Sequence, residues 1–180
     1  SMDNYEKTIK VDNIYEGKIL SLRVETVEMP DKKYSKREIV DHVKGVGIIA
    51  FDGEDSIYLV RQYRKAIDEF TLEIPAGLVE VNEKPIETAK RELQEEIGYK
   101  PLDIEYLFDM HASPGFTNDK LSFFLAKNLE ESKLELDEDE FLEKKSYKIE
   151  DVYNMVINGE ITDAKTIIAV MYAKRLIDEK

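Results

Sequence analysis

Three glutamates crowd a short stretch of this chain: Glu92, Glu95 and Glu96, within Arg91-Glu92-Leu93-Gln94-Glu95-Glu96-Ile97. Upstream, Gly77 is followed by five residues and then Glu83, and seven more residues lead to Arg91. Pro85 suits the first turn of a helix, where its missing N–H removes nothing, and Gly98 suits the residue just past the end. At about 100° per residue, Ile86, Ala89, Leu93 and Ile97 form one apolar stripe. The three glutamates fall beside that stripe, whereas Glu87, Lys90 and Gln94 lie on the far, wet side. Like charges one turn apart disfavour a helix, so a cation is their natural partner. Oxygen donors without cysteine or a local histidine suit a hard ion, Mg²⁺ or Mn²⁺. A glutamate-rich helix face is ordinarily just solvated. The fixed loop spacing from Gly77 to Glu83 sets this one apart.

The flanking segments read as the elements that position that helix. Residues 5–11 and 14–29 alternate apolar and polar types as strands do, and Met29-Pro30-Asp31-Lys32-Lys33 is a turn before a returning strand over 34–43. This N-terminal hairpin would expose long edges, which invite a partner chain and predict a homodimer. Gly45 to Phe51 is nearly all apolar, as expected of a strand buried on both faces. Residues 52–55 form a turn, 56–64 a returning strand ending near Arg61 and Arg64, and 72–77 a short strand feeding the loop before the helix. Strands are expected over 102–110, 121–126 and 141–149, with a loop at 111–119. Two closing helices span 149–158, ended by Gly159, and 163–178, opened by Thr162 or Asp163 as N-cap. Asp137-Glu138-Asp139-Glu140 is an acidic run, by default a solvated loop. Strands interrupted by one helix and closed by two more describe a three-layer α/β/α domain with a mixed sheet.

Residues 76–99 resemble the Nudix box, the glycine, glutamate and REuxEE pattern of enzymes that hydrolyse nucleoside diphosphates linked to another group. The resemblance implies a Nudix-type α/β/α sandwich over 44–180 as one compact unit, preceded by the N-terminal β-hairpin at 1–43. It extends from about Tyr15 to Lys174 and is closest to the ADP-ribose pyrophosphatase subgroup. Four pieces carry it: residues 35–40, Gln62-Tyr63-Arg64 with 72–77, Ser113-Pro114-Gly115-Phe116-Thr117, and the acidic run. Pro114, 15 residues past Tyr99, resembles the subgroup's marker proline.

The implied reaction is Mg²⁺-dependent hydrolysis of ADP-ribose, or a close ADP-sugar, to AMP and ribose 5-phosphate. By resemblance, Glu92, Glu96 and the backbone carbonyl of Ala76 are metal ligands, and Glu95 is a further one, direct or through water. Glu138 matches the general base on a loop after the box, with Glu140 as alternate base or extra ligand. Arg64 matches a phosphate contact, Arg37 an arginine reaching the partner subunit's site, and Glu73 a substrate-facing acid; Pro114 belongs with these substrate-side residues. Gly77, Glu83 and Arg91 support the box, Arg91 by pairing with a box carboxylate such as Glu83. Two positions depart from the pattern. Tyr99 stands where an aliphatic residue is commoner, and Lys18 where some relatives carry an aromatic that stacks on the base. His111 reads as a structural or rim residue. The nearest alternatives are the same chemistry on GDP-mannose or another nucleotide sugar, and a non-catalytic regulator that binds ADP-ribose; a regulator would be expected to carry a degraded box.

The whole chain bounds these readings. Its 180 residues, 42% of them hydrophobic, suit a domain with a real core. A net charge of −13 argues against a nucleic-acid polymer as partner, since a phosphate backbone needs a basic surface. A small anionic nucleotide sugar remains compatible if cations and arginines make the site locally positive. No run is long and apolar enough for a membrane span, no signal peptide opens the chain, and Ser1 ahead of Met2 reads as a cloning remnant. The absence of cysteine fits a reducing cytoplasm.

Overall fold

The computed structural model of the chain describes residues 4–132 and 143–180. The chain divides into two compact units: Ser1–Lys44 with Met110–Leu121, and Gly45–Asp109 with Ser122–Lys180.

The first unit contains a three-stranded antiparallel sheet in the order β1 (Lys7–Glu16), β2 (Leu20–Glu28), β3 (Tyr34–His42). Strands are expected over 5–11 and 14–29, but β1 runs on through 12–13 and the chain reverses at Gly17, whose N–H donates to the carbonyl of Leu20. Asp12 and Asn13 lie inside β1, with a register irregularity between Asn13 and Tyr15. β1 is an edge strand exposed almost throughout, with Asp12 its one half-buried residue, so it tolerates polar residues within it. Within the same unit the 113–117 turn is fastened to β3. Val40 N–H donates to the Phe116 carbonyl at 2.8 Å, and Thr117 Oγ1 donates to the Val40 carbonyl at 2.7 Å.

The second unit is a mixed seven-stranded sheet flanked by three helices. Its strands are β4 (Gly45–Asp52), β5 (Ser56–Arg64), β6 (Glu69–Glu73), β7 (Ala76–Leu78), β8 (Tyr99–His111), β9 (Lys120–Glu131) and β10 (Glu143–Lys148). The order is β10-β5-β4-β9-β8, with β6 pairing β5 and β7 pairing β4. The helices are α1 (Pro85–Ile97), α2 (Ile149–Ile157) and α3 (Ala164–Asp178). β4 is buried from Gly45 to Phe51, as its apolar run required. Successive side chains of a strand face opposite sides. Val46, Ile48 and Ala50 pack with Ala89, Leu93 and Ile97 of α1 in one cluster, while α3 lies against β4 and β6. Full burial of Leu93 and Ile97 contributes about 2 kcal/mol each, which fixes the face α1 turns to the sheet.

α1 begins and ends where the sequence placed it. Pro85 opens it, Glu87 accepts from the Lys84 N–H at 3.0 Å, and Gly98 closes it at φ 75°. β8 and β9 run longer than expected, because their ends are polar and exposed and carry no alternation to read. Among the described residues no helix is long and apolar enough to cross a membrane.

Candidate active site

The loop before α1 is built by its contacts with Arg91. That guanidinium grips Glu83 with two bonds, Nε to Oε2 at 2.9 Å and Nη2 to Oε1 at 3.0 Å. It also donates to Glu92 at 2.9 Å, to Glu95 at 3.1 Å and to the carbonyl of Leu78 at 3.1 Å. Thr88 donates to Glu83 at 2.6 Å. Arg91 therefore ties β7, the loop and the helix into one piece. Its grip holds the Glu83 carboxyl at a pKa of about 2, with Thr88 and the Glu80 backbone helping against the opposing effect of burial. The spacing from Gly77 through Glu83 to Arg91 is thus the geometry of a two-bond clamp.

Gly77 is required for a separate reason. A Cβ at that position would lie 2.0 Å from Cδ of Glu92, so a side chain there would collide with the carboxylate. Glycine lets β7 pass this close to α1 without displacing the Glu92 side chain. Glu92 is buried, at 6% exposure, although it is charged. One residue back along β7, the N–H of Ala76 donates to Oε2 of Glu96 at 3.2 Å. The structure so brings together Ala76, Gly77, Glu83, Arg91, Glu92, Glu95 and Glu96.

Glu80, Glu83, Glu92 and Glu95 all stand within ion-pair distance of the one Arg91 guanidinium, and Glu96 adds a fifth carboxylate, so this cluster is rich in negative charge. Among the described residues no group of three or more acidic or histidine side chains is positioned to hold a metal ion. Mg²⁺ does not ask for one: it keeps several waters and takes one or two carboxylates together with substrate phosphates. An oxygen-only, acid-rich and open donor set fits a hard divalent cation.

A second cluster lies at the end of β5 and β6. Arg64 forks onto Glu73, Nε to Oε2 and Nη2 to Oε1, both at 2.7 Å. Glu73 is 1% exposed, and its oxygens also accept from Lys165 Nζ at 2.5 Å and from the Thr71 hydroxyl. Burial alone would raise the Glu73 pKa, but Arg64, Lys165 and Thr71 outweigh it and hold the carboxyl at about 2. Arg64 is raised above the usual arginine range, by Glu73 first, with smaller contributions from the charges of Asp163 and Glu96. That last contribution puts the guanidinium within electrostatic reach of the box helix.

Lys165 and Thr71 do not emerge from the sequence reading. Asp163 was visible as an N-cap, and it does accept from the Thr166 N–H at 3.2 Å. Nothing local signals that the lysine two residues on meets a carboxylate 92 positions earlier.

The remaining expected residues stand elsewhere. Arg37 and Pro114 belong to the first unit. Arg37 donates to Glu6 at 2.7 Å, to Ser35 Oγ at 3.1 Å and to the Lys36 carbonyl at 3.0 Å. Pro114 sits in the turn closed by Ser113, whose carbonyl accepts from Phe116 and Thr117. Glu138 and Glu140 lie outside the described residues. Tyr99 meets the ring of Tyr58 at 5.0 Å and the ammonium of Lys144 at 4.8 Å. The same ammonium donates to the Ile97 carbonyl at 2.6 Å, supplying the positive charge that the last turn of α1 lacks.

Known proteins resemble this chain over most of its length. The NUDIX domain family matches residues 41–170. The chain is 44% identical to an ADP-ribose pyrophosphatase of Bacillus subtilis (strain 168), over 93% of this chain and 91% of that protein. It is 41% identical to a methanol dehydrogenase activator of Bacillus methanolicus over the same shares. A GDP-mannose pyrophosphatase of Yersinia enterocolitica is 31% identical over 77% of each chain. A crystal structure of an ADP compounds hydrolase superposes with a TM-score of 0.86 at 20% identity, covering 97% of this chain and 95% of that one, a likeness of fold.

Proposed function

The chain belongs to the Nudix hydrolase family, and from that premise we propose that it hydrolyses the diphosphate of ADP-ribose, or a close ADP-sugar, to AMP and ribose 5-phosphate. The observation that carries this reading is the Arg91 clamp on Glu83, Glu92 and Glu95 in an intact box, with Glu96 held by the Ala76 N–H of β7. The substrate follows the relative named for ADP-ribose, which is more similar along the chain than the one named for GDP-mannose.

Glu92, Glu96 and the carbonyl of Ala76 would hold Mg²⁺ or Mn²⁺, with Glu95 adding a carboxylate directly or through water. The bound cations supply neutralisation of diphosphate charge and activation of water. Arg64 binds a diphosphate oxygen through the edge of its guanidinium that Glu73 leaves uncovered. Glu138, with Glu140 as alternate, takes a proton from the attacking water. The water oxygen bonds to phosphorus, the bridging P–O bond breaks, and the two monophosphates leave. Glu83 and Gly77 keep the carboxylates in place and touch no substrate. Arg37 and Pro114 serve the sugar or base side, Arg37 across a homodimer, in a cysteine-free chain suited to the cytoplasm.

The test is product identity. Purified protein with Mg²⁺ is given ADP-ribose, ADP-glucose and GDP-mannose in parallel, and products are resolved by ion-exchange chromatography. AMP and ribose 5-phosphate, formed from ADP-ribose with a kcat/KM at least about tenfold above that for GDP-mannose, are expected. A preference for the guanine nucleotide sugar establishes the alternative substrate. Saturable ADP-ribose binding without turnover of any compound establishes a regulator.

A further inference from the structure

We infer that Lys165 is a positioning residue for this reaction, acting through Glu73 to hold the guanidinium of Arg64 available to the diphosphate. The inference rests on the reading of Arg64 as the phosphate contact.

A carboxylate as buried as Glu73 must be paired, and one cation would suffice. Two are present, and they are not equivalent. The Lys165 side chain is 14% exposed and meets Oε1, whereas that of Arg64 is 47% exposed and reaches the same carboxylate from the wetter side. Lysine is the inner counter-charge and arginine the outer one. The Arg64 fork spends Nε and Nη2 on Glu73, which fixes the guanidinium plane and leaves Nη1 on the opposite edge. With Lys165 balancing Glu73, the charge of Arg64 is available to an anion. Without it, the same guanidinium becomes the sole counter-charge of a buried carboxylate and is drawn onto it.

The inner cation is itself firmly placed. Lys165 stands 3.1 Å from Asp163, whose carboxylate also caps α3 by accepting from Thr166. Thr166 Oγ1 in turn accepts from the N–H of Ile74 at 3.0 Å. The first turn of α3 is so pinned to Ile74, two residues from the backbone N–H of Ala76 that bonds Glu96. A lysine on that turn is well placed to set the outer arginine and too deep to be a first contact for substrate.

A double-mutant cycle in steady-state kinetics on ADP-ribose with Mg²⁺ tests this, using Arg64→Ala, Lys165→Met and the double variant, with Tm measured for each. Lys165→Met is expected to lower kcat/KM about tenfold, yet to change it less than about twofold when added to Arg64→Ala. Lys165→Arg, which keeps a cation at Oε1, is expected to recover most of the loss. Multiplicative losses in the double variant would show Lys165 acting independently of Arg64 and overturn the inference. A lowered Tm with unchanged kcat/KM would overturn it as well, leaving a purely structural lysine. Should Lys165→Met fail to fold, Lys165→Gln takes its place, keeping a donor without the charge. If Arg64→Ala itself leaves kcat/KM unchanged, the phosphate role of Arg64 is what fails, and the inference falls with it.

Discussion

Gly77 and Arg91 shape the carboxylate cluster without being part of it. A methyl group at position 77 would overlap the Glu92 carboxylate, so either the β7 backbone or the carboxylate must move. Gly77→Ala is therefore expected to destabilise by about 1–3 kcal/mol and to cut kcat by more than tenfold. Thermal unfolding and initial rates measure both, and an unchanged kcat would mean that Glu92 is not held where the chemistry needs it. Arg91→Ala strips Glu83, Glu92 and Glu95 of their shared partner at once. Removing one partner from such a partly buried set costs about 3 kcal/mol, read as a drop in the urea midpoint. A midpoint within error of the parent would contradict the clamp.

At the scale of elements, the junction of β5, β6 and α3 makes a prediction about acid. The folded pKa of Glu73 is held at about 2, below its ordinary value of 4.5. A depressed carboxyl pKa stabilises the folded state fully above the unfolded value, and that contribution fades as pH falls from about 4.5 toward 2. Stability measured by urea unfolding from pH 6 to 2.5 should thus fall less steeply in Glu73→Gln than in the parent. Glu83, depressed for its own reasons, keeps some slope in both. Parallel curves would show that Glu73 contributes nothing over this window.

The contrast between α1 and this junction shows what sequence can and cannot say. The box helix was legible because its signals are local: Pro85, Gly98, an apolar stripe, and an arginine eight positions from the glutamate it grips. The single strand expected over 72–77 is instead the end of β6 and the start of β7, and the three residues of β7 show no period of their own and are strand only by pairing with Gly45–Gly47. The gap left between the expected strands 5–11 and 14–29 falls inside β1, because an exposed edge strand tolerates polar residues at little cost. Lys165 was invisible for a third reason. Its partner is chosen by how α3 closes the domain, and no spacing rule spans that distance.

For the molecule as a whole, two properties bear on function. The net charge of −13 repels a diphosphate at long range, so binding should depend on cations and on the Arg64–Lys165 pair more than on the general field. The first unit presents an edge strand, β1, with large apolar side chains in solution: Ile9, Val11, Ile14 and Tyr15 are about half exposed or more. Such an edge favours pairing with a second copy. Light scattering at micromolar concentration is expected to give twice the chain mass, and Ile9→Lys with Val11→Lys to give the monomer. A monomeric parent would remove the cross-subunit role of Arg37.

The most direct measurement compares the parent with Glu96→Gln, each incubated with ADP-ribose and Mg²⁺, scoring AMP and ribose 5-phosphate alongside Tm. Glu96 accepts from the backbone of Ala76 and closes the box against β7, so its replacement removes a carboxylate while leaving the amide able to accept the same bond. The expected result is stoichiometric AMP and ribose 5-phosphate from the parent, and a kcat lower by about a thousandfold or more in the variant with Tm little changed. Product formation by Glu96→Gln at the parent's rate would contradict the assignment of the box as the catalytic centre.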